Sequence, residues 1–530
     1  IAALAFPIIS LAAYARANAA LRLAAYDREN AVRESVQLSA ELLTKSEQLK
    51  QQEIRLQNQL RERQELESRL RSLHTSYDQS QQQCLAADQR LQDALREVRL
   101  SMAEDFSRQA QELKKGLPEF SLLLAAKALS ITQQEGVAPI PTAFQQVHDL
   151  LAPTDGVELR GHEGPVAQLA ASRDGNWLAS GDHQGLVRLW NAASLKSLDR
   201  PRLLDGHWGR VTQLVFTNDN RWLVSASTDS TAHLWQLNGI EDSTGPFLLK
   251  NNQRRIVALT ASDGGRWLAI AHAGQVSHEI AIRMWDLHAA SVATSFVDLP
   301  SYQGHLCSLT VSRDGDWVAT GNDDGTVRLW RLNAQTGAVT GTDLRMHNEP
   351  VRAIRFAPDG RSLITAAGRQ SGKGTIRAWS LENANPKSDA VLADSANGAQ
   401  LFAMTTDGRW LFTANDEPSL RVRDLASDDG PESGTLLAGQ TSAVQAMALS
   451  ANERWLATAG TDNTVRLWYL SANGPTATPI TIRTPHGLIT GVAFAGKGDW
   501  LATGNDRGNI QLWNLKVDDL IRMANARMPR

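Results

Sequence analysis

Two cysteines, Cys84 and Cys307, are all that 530 residues offer, and they fall in segments of opposite character. Neither a disulfide framework nor a cysteine-based zinc site can be assembled from them within one chain, and so few thiols fit a reducing compartment. Charge of one sign is missing too: 54 Lys and Arg against 57 Asp and Glu leave a net charge of -3. No global field draws in nucleic acid, which excludes a DNA-coating role and leaves no nucleic-acid partner to expect. Long apolar runs are absent except at the start, where "IAALAFPIISLAAYA" meets its first charge only at Arg16. Proline and glycine are missing altogether from Asp27 to Lys115, and tryptophan from everything before Trp177.

The opening fifteen residues fall short of the roughly 20 that span a bilayer. Because the chain begins with Ile1, they read as the cut end of a membrane helix over 1–26, with Arg16, Arg22, Arg28 and Arg33 following its edge. A basic flank places everything downstream in the cytoplasm. A secretory signal cleaved after Ala15 or Ala19 is the alternative and would make the protein exported; an ordinary buried helix is the third reading.

The Pro- and Gly-free stretch 27–115, rich in Gln, Glu, Arg and Leu, predicts one helix, which unbroken would reach ~130 Å. Every seventh residue from Leu42 forms a stripe: Leu42, Leu49, Leu56, Arg63, Leu70, Tyr77, Cys84, Leu91 and Val98. Its companion stripe is only partly apolar, so the expectation is an irregular coiled-coil stalk, able to pair with a second copy, with a break or hairpin near His74–Gln83. Gly116 and Pro118 end it. Two shorter helices, "PEFSLLLAAKALSI" and "AFQQVHDLLA", then form a small adaptor over 116–153, packed on itself or on one end of the C-terminal region.

Fourteen of the 15 tryptophans fall on a repeat of roughly 45 residues. One series reads Trp177, Trp222, Trp267, Trp317, Trp410, Trp455 and Trp500, with Ser362 in the empty slot; the other reads Trp190, Trp235, Trp285, Trp330, Trp379, Trp468 and Trp513, with Arg423 in the empty slot. Unit two, residues 203–237, shows the pattern most fully: four short alternating strands, Gly206-His207, an Asn-Asp-Asn turn and a turn at Asp229. A copied sheet that cannot bury its own faces must stack on its neighbours.

Gly206-His207, Trp222, Asp229 and Leu234-Trp235 resemble the WD-repeat (WD40) pattern, over about residues 155–515. The resemblance implies an all-β propeller over 154–515, with eight four-stranded blades, or seven if unit six is an irregular insertion. It also implies a hydrogen-bonded set of His207, Ser225, Asp229 and Trp235 tying a blade together. Six residues before the final Trp, other units offer Gln184, Glu279, Asp324, Lys373, Asp462 and Arg507, so few keep an Asp, and units three and six are expected to pack less tightly. The segment "VELR" (157–160) precedes the first Gly-His, whereas the last unit stops at "IQLWNL", so the early strand should complete the last blade. A helix or tail comes after it at 516–530.

No catalytic, cofactor or metal constellation emerges. "GRQSGKGT" (368–375) has the wrong spacing for a phosphate loop, and His305 with Cys307 is weak grounds for a nucleophile. "TGNDD" and "TGNDR" lack calcium-loop spacing. The residues before the inner strands of units two to four are Arg210, Arg255 and His305; with Arg254 and the one off-ladder indole, Trp208, they form a candidate partner-binding arc. "SLLLAAKAL", "PTAFQQVHDLLA" and "WNLKVDDLIRMA" resemble the C-terminal part of bacterial membrane-linked WD-repeat proteins, including STAND-type signalling proteins. The resulting expectation is a non-catalytic scaffold or sensor, membrane-anchored with a cytoplasmic propeller. The rival is the regulatory portion of an NTPase, kinase or protease whose catalytic domain precedes residue 1.

Overall fold

The computed structural model describes residues 60–192, 201–237, 246–249, 254–274, 278–332, 339–345, 347–368, 374–381, 387–395, 401–414, 418–426, 434–471, 474–476, 478–484 and 487–527, with isolated positions at 276 and between 28 and 44. The expected membrane segment at 1–26 lies outside them. Among the described residues no helix is long and apolar enough to cross a membrane. The chain divides into two compact units, Ile1–Ala143 and Phe144–Arg530.

In the first unit a long helix, α1 (Leu60–Leu113), is followed by α2 (Pro118–Gln134) and the start of α3 (Pro141–Asp155). The break expected near His74–Gln83 does not occur: α1 runs straight through. With neither Pro nor Gly there, the polar side chains cost little on an exposed helix surface, and nothing in the backbone forces a turn. Gly116 and Leu117 close α1 by donating their N–H groups to Leu113 C=O, and Pro118 opens α2 with Glu119 in its first turn. The two helices fold back on each other, with Leu122, Ala125 and Leu129 buried, Ser121 Oγ donating to Ala110 C=O at 2.9 Å, and Arg99 paired with Glu135 at 2.7 Å.

The second unit contains eight four-stranded antiparallel sheets, one of them carrying an extra two-residue strand, so all eight blades of the ladder exist. Blade 1 comprises Val166–Ala171, Trp177–Asp182, Val187–Asn191 and Arg202–Leu204; later blades repeat that order. Each blade's first strand lies beside the first strand of the next, all the way round to blade 8 against blade 1. Unit six forms a true blade (Leu401–Met404, Trp410–Ala414, Leu420–Asp424, Thr435–Leu437), so seven blades are excluded. The ring closes as expected: Gly156–Leu159 pairs antiparallel with the third strand of blade 8, Leu159 opposite Ile510 and Val157 opposite Leu512. A buried cluster of Leu159, Val166, Trp190, Ile510 and Leu512 seals that joint. Blades joined this way present no free edge at the seam.

The core lies between blades. The final tryptophans Trp190, Trp285, Trp330, Trp379 and Trp468 are among the largest fully buried side chains, each wedged into an apolar cluster. From Phe144 on, α3 covers blade 7: Phe144 sits 5.7 Å from Trp455, ring to ring, and Gln145 Oε1 accepts from Thr481 N–H at 2.7 Å. The C-terminal helix α4 (Val517–Ala526) buries Leu520 and Ala524, and Arg527 beyond it donates to Leu150 C=O.

Candidate functional site

A backbone device shapes one mouth of the central channel. In seven blades the first strand slips register immediately after its first residue, for example between Val166 and Gln168, Leu306 and Ser308, and Val351 and Ala353. Such a bulge leaves one residue unpaired and re-aims its side chain. The skipped residues include Ala167, Cys307, Arg352, Gln445 and Thr490, and all five line a cavity of about 900 Å³ together with Arg210 and Asp506.

The expected partner arc sits around this mouth. Arg210 reaches the cavity wall, and His305 precedes the lining residues Leu306 and Cys307. Arg254 and Arg255 enter the first strand of blade 3 at Ile256 from the same end. Trp208 is 94% exposed, yet its backbone is fixed: its N–H donates to Asp229 Oδ2 at 2.8 Å. His278 lies edge-on to His305 at 4.4 Å. The Arg210 charge, after burial, helps hold the nearby His183 imidazole below its usual range. Burial, with Asp323 and Asp324, pushes the Cys307 thiol up against the opposing pull of Arg352, so it is a poor thiolate. Among the described residues no group of His, Cys, Asp and Glu is arranged to hold a metal ion.

Beneath the arc lie the blade-tying sets. In blade 2, Trp235 Nε1 donates to Ser225 Oγ at 2.9 Å, His207 Nε2 lies 2.8 Å from the same oxygen, and His207 Nδ1 faces Asp229 at 3.2 Å and Thr231 at 2.8 Å. Burial pushes the Asp229 carboxyl up, but hydrogen bonds from Thr231 and the Trp208 N–H outweigh it and bring it below its usual value. One carboxylate thus braces the blade and holds the backbone that carries the exposed indole. Behind His207 stacks His233, 4.2 Å away, pushed down to about 4 by burial and by the His207 charge.

Blade 1 corrects the slot assignment. Gln184 does not take the acidic role; Asp182, two residues earlier, accepts from His162 Nδ1 at 2.7 Å, while His162 Nε2 and Trp190 Nε1 meet at Ser180 Oγ. Asp182 also caps the turn by accepting the N–H groups of Gln184 and Leu186, which is why the carboxylate moves to the strand end. Blade 5 ties His347 and Trp379 to Thr365, and blade 7 ties Gln440 and Trp468 to Thr458. In blade 3, for which looser packing is expected, Trp285 and Ile270 are fully buried. What it lacks is a hydroxyl opposite the indole, and among the described residues Trp285 Nε1 finds no partner. The turn position Lys373 lies outside the described residues.

Sequence reasoning named Arg210 and His305 for this face, weighed Cys307 only as a nucleophile, and missed Arg352 and Asp506. For Cys307 and Arg352 the signal was the second residue of the first strand, which alternation alone assigns to the sheet face and a bulge delivers to the channel.

The WD domain, G-beta repeat model matches residues 155–191, 199–236, 297–331, 338–380, 431–469 and 477–514. The chain is a WD40-repeat β-propeller protein. Among curated proteins, the target of rapamycin complex subunit LST8 of Mus musculus is 33% identical over 118 residues, 22% of this chain and 34% of that protein. The protein groucho of Drosophila melanogaster is 26% identical over 125 residues, 23% of this chain and 16% of its own length. The WD40 chain therefore matches only about a third or less of these relatives' lengths. Among solved structures, Chaetomium thermophilum Sqt1 bound to the N-terminus of ribosomal protein L10 superposes with a TM-score of 0.52 at 16% identity, over 68% of this chain and 99% of that one. That similarity speaks for the fold.

Proposed function

We propose that this WD40 propeller is a non-catalytic scaffold or sensor that captures a protein partner on the face carrying Trp208, Arg210, Arg254, Arg255 and His305. The observation that carries the reading is Trp208: an indole 94% exposed, on a backbone pinned by the carboxylate that also braces blade 2. A large aromatic on a fixed backbone needs only two side-chain torsions to settle on binding, and beside arginines it forms the combination that dominates interface energetics. The LST8 relatives are named as subunits of a larger complex, in keeping with such a role.

Around this core we place a membrane helix over 1–26, a coiled-coil stalk over 27–115 able to pair two copies, the adaptor over 116–153, the propeller over 154–515 and a helical tail over 516–530, with the propeller in the cytoplasm and a signalling role for the assembly. Support for the tether is the apolar start followed by Arg16, Arg22, Arg28 and Arg33. Pull-downs from the native host with the wild-type chain and a Trp208→Ala/Arg210→Ala variant test the face. Loss of specific partners is expected; an unchanged partner set on a folded variant removes the proposal. Membrane fractionation tests the tether separately.

A further inference from the structure

The channel has a second mouth, at the opposite ends of the first strands, and it differs in chemistry. Its cavity measures about 400 Å³, within the range of ligand-sized sites. In blades 1 to 7 the second residue of the turn leaving the first strand lines it: Arg173, Asn218, Asp263 and Arg313 in blades 1 to 4, but only Pro358, Thr406 and Ala451 in blades 5 to 7. Arg355, on the first strand of blade 5, adds a third guanidinium.

The acidic groups at this mouth, Asp263 and Glu453 in its lining and Asp174 and Asp314 beside it, keep their charge but are each oriented by hydrogen bonds from neighbouring neutral groups. Asp174 and Asp314 each take a serine hydroxyl and a backbone N–H of their own turn, through Ser172 and Asn176 and through Ser312 and Asp316. Asp263 accepts from Asn218 Nδ2 at 3.2 Å, and Glu453 accepts from Thr406 N–H. Arg173, Arg313 and Arg355 are exposed, and among the described residues none of them forms an ion pair. Between Arg355 and Arg173, going through blades 6 to 8, the wall is mainly apolar: Phe402 and Met447 are half-buried, with Met404 and Phe494 behind them, and Glu453, Thr405, Thr406 and Ser450 are the polar residues that interrupt it. Cations therefore stand at both ends of an apolar strip, in blades 4 and 5 on one side and blade 1 on the other.

We propose that this second mouth is a peptide-binding site for an acidic–apolar–acidic segment of a partner protein. An apolar side chain of the segment lies on Phe402 and Met447, whose flexible thioether adapts to its shape, and flanking carboxylates pair with Arg355 and Arg313 at one end and Arg173 at the other. The site is separate from the Trp208 face, so a chain carrying both can bridge two partners.

The test is a randomised short-peptide library displayed on phage and selected against the immobilised full chain, with counter-selection on an Arg173→Ala/Arg313→Ala/Arg355→Ala variant. Enriched peptides, labelled with fluorescein, are titrated by anisotropy. They are expected to carry Asp or Glu on both sides of Phe, Leu or Met, to weaken as salt rises, and to bind the triple variant roughly tenfold or more weakly. Trp208→Ala should leave their affinity unchanged, which separates this site from the proposed partner face. Circular dichroism confirms that the exposed substitutions preserve the fold. Enrichment of peptides without the acidic pattern, acidic peptides that keep their affinity for the triple variant, or complete displacement by inorganic phosphate alone would each overturn the proposal.

Discussion

Replacing Ser225 by Ala should destabilise the propeller more than its size suggests. The side chain is fully buried, and its one oxygen serves two other buried groups, the Trp235 indole N–H at 2.9 Å and His207 Nε2 at 2.8 Å. Each stranded group loses a partner where water cannot replace it, at about 1–3 kcal/mol. The two share one hydroxyl and are not independent, so the combined loss is about 2–4 kcal/mol. Urea unfolding followed by tryptophan fluorescence reads this as a lower midpoint at unchanged slope. Ser225→Thr is the control: blades 5 and 7 use Thr365 and Thr458 at the same position and keep the indole bond. It should stay within about 1 kcal/mol of wild type. A loss below about 0.5 kcal/mol for Ser225→Ala, or equal losses for both variants, would refute the reasoning that the hydroxyl rather than the packing holds the blade.

Acid should weaken the fold for a related reason. His233 and His347 are pushed from 6.5 down to about 4, mainly by burial, with the charges of His207 and Arg377 adding to it. The folded protein keeps them neutral where the unfolded chain binds a proton, so their contribution is complete above pH 6.5 and drains away as pH falls towards about 4, by ~3 kcal/mol for each histidine. His347→Gln, copying the Gln440–Thr458 pairing of blade 7, should flatten the pH dependence of the urea midpoint over that window; an unaltered profile assigns the acid loss elsewhere. Leu159→Ala removes a side chain 2% exposed at the ring seam and should cost about 2–4 kcal/mol, visible as a lower melting temperature. Trp208→Ala should do the opposite on both counts: partner binding falls while the melting temperature stays put, since the indole is 94% exposed.

Blade number was legible because two indoles recur in six of the eight units and one in each of the others, and only a copied sheet keeps such spacing; even the gaps at Ser362 and Arg423 mark blades, since strand pairing there rests on backbone hydrogen bonds that any side chain permits. The seam was legible as well, because an unmatched strand at each end of the repeats has nowhere else to pair. Three features were not. The bulges that deliver Cys307 and Arg352 into the channel are a property of how the strands pair, and two-residue alternation assigns those side chains to the sheet face. The shift from Gln184 to Asp182 escaped a fixed count back from Trp190, because a carboxylate at a strand end can cap the same turn and reach the same histidine. The unbroken course of α1 escaped a reading of composition, which weighs polar residues as breakers although an exposed helix tolerates them.

The two mouths differ in the same way at the level of function. On the Trp208 face the informative residues interrupt the pattern, and an indole outside the ladder is visible in the sequence alone. At the other mouth Arg173 and Arg313 sit inside the pattern, in the turn sequence Ser-Arg-Asp-Gly, where they pass for ordinary solvated turn residues. Only the ring brings turns of distant blades onto one rim, and only the hydrogen bonds show that the neighbouring Asp174 and Asp314 are occupied by their own turns. In a closed propeller, therefore, residues that are unremarkable in each repeat acquire chemistry by their sum around the axis. Reversing a single charge among Arg173, Arg313 and Arg355 should accordingly weaken peptide binding less than the triple change, whereas a loss carried wholly by one arginine would argue for a local pocket on one blade instead of a site shared across the rim.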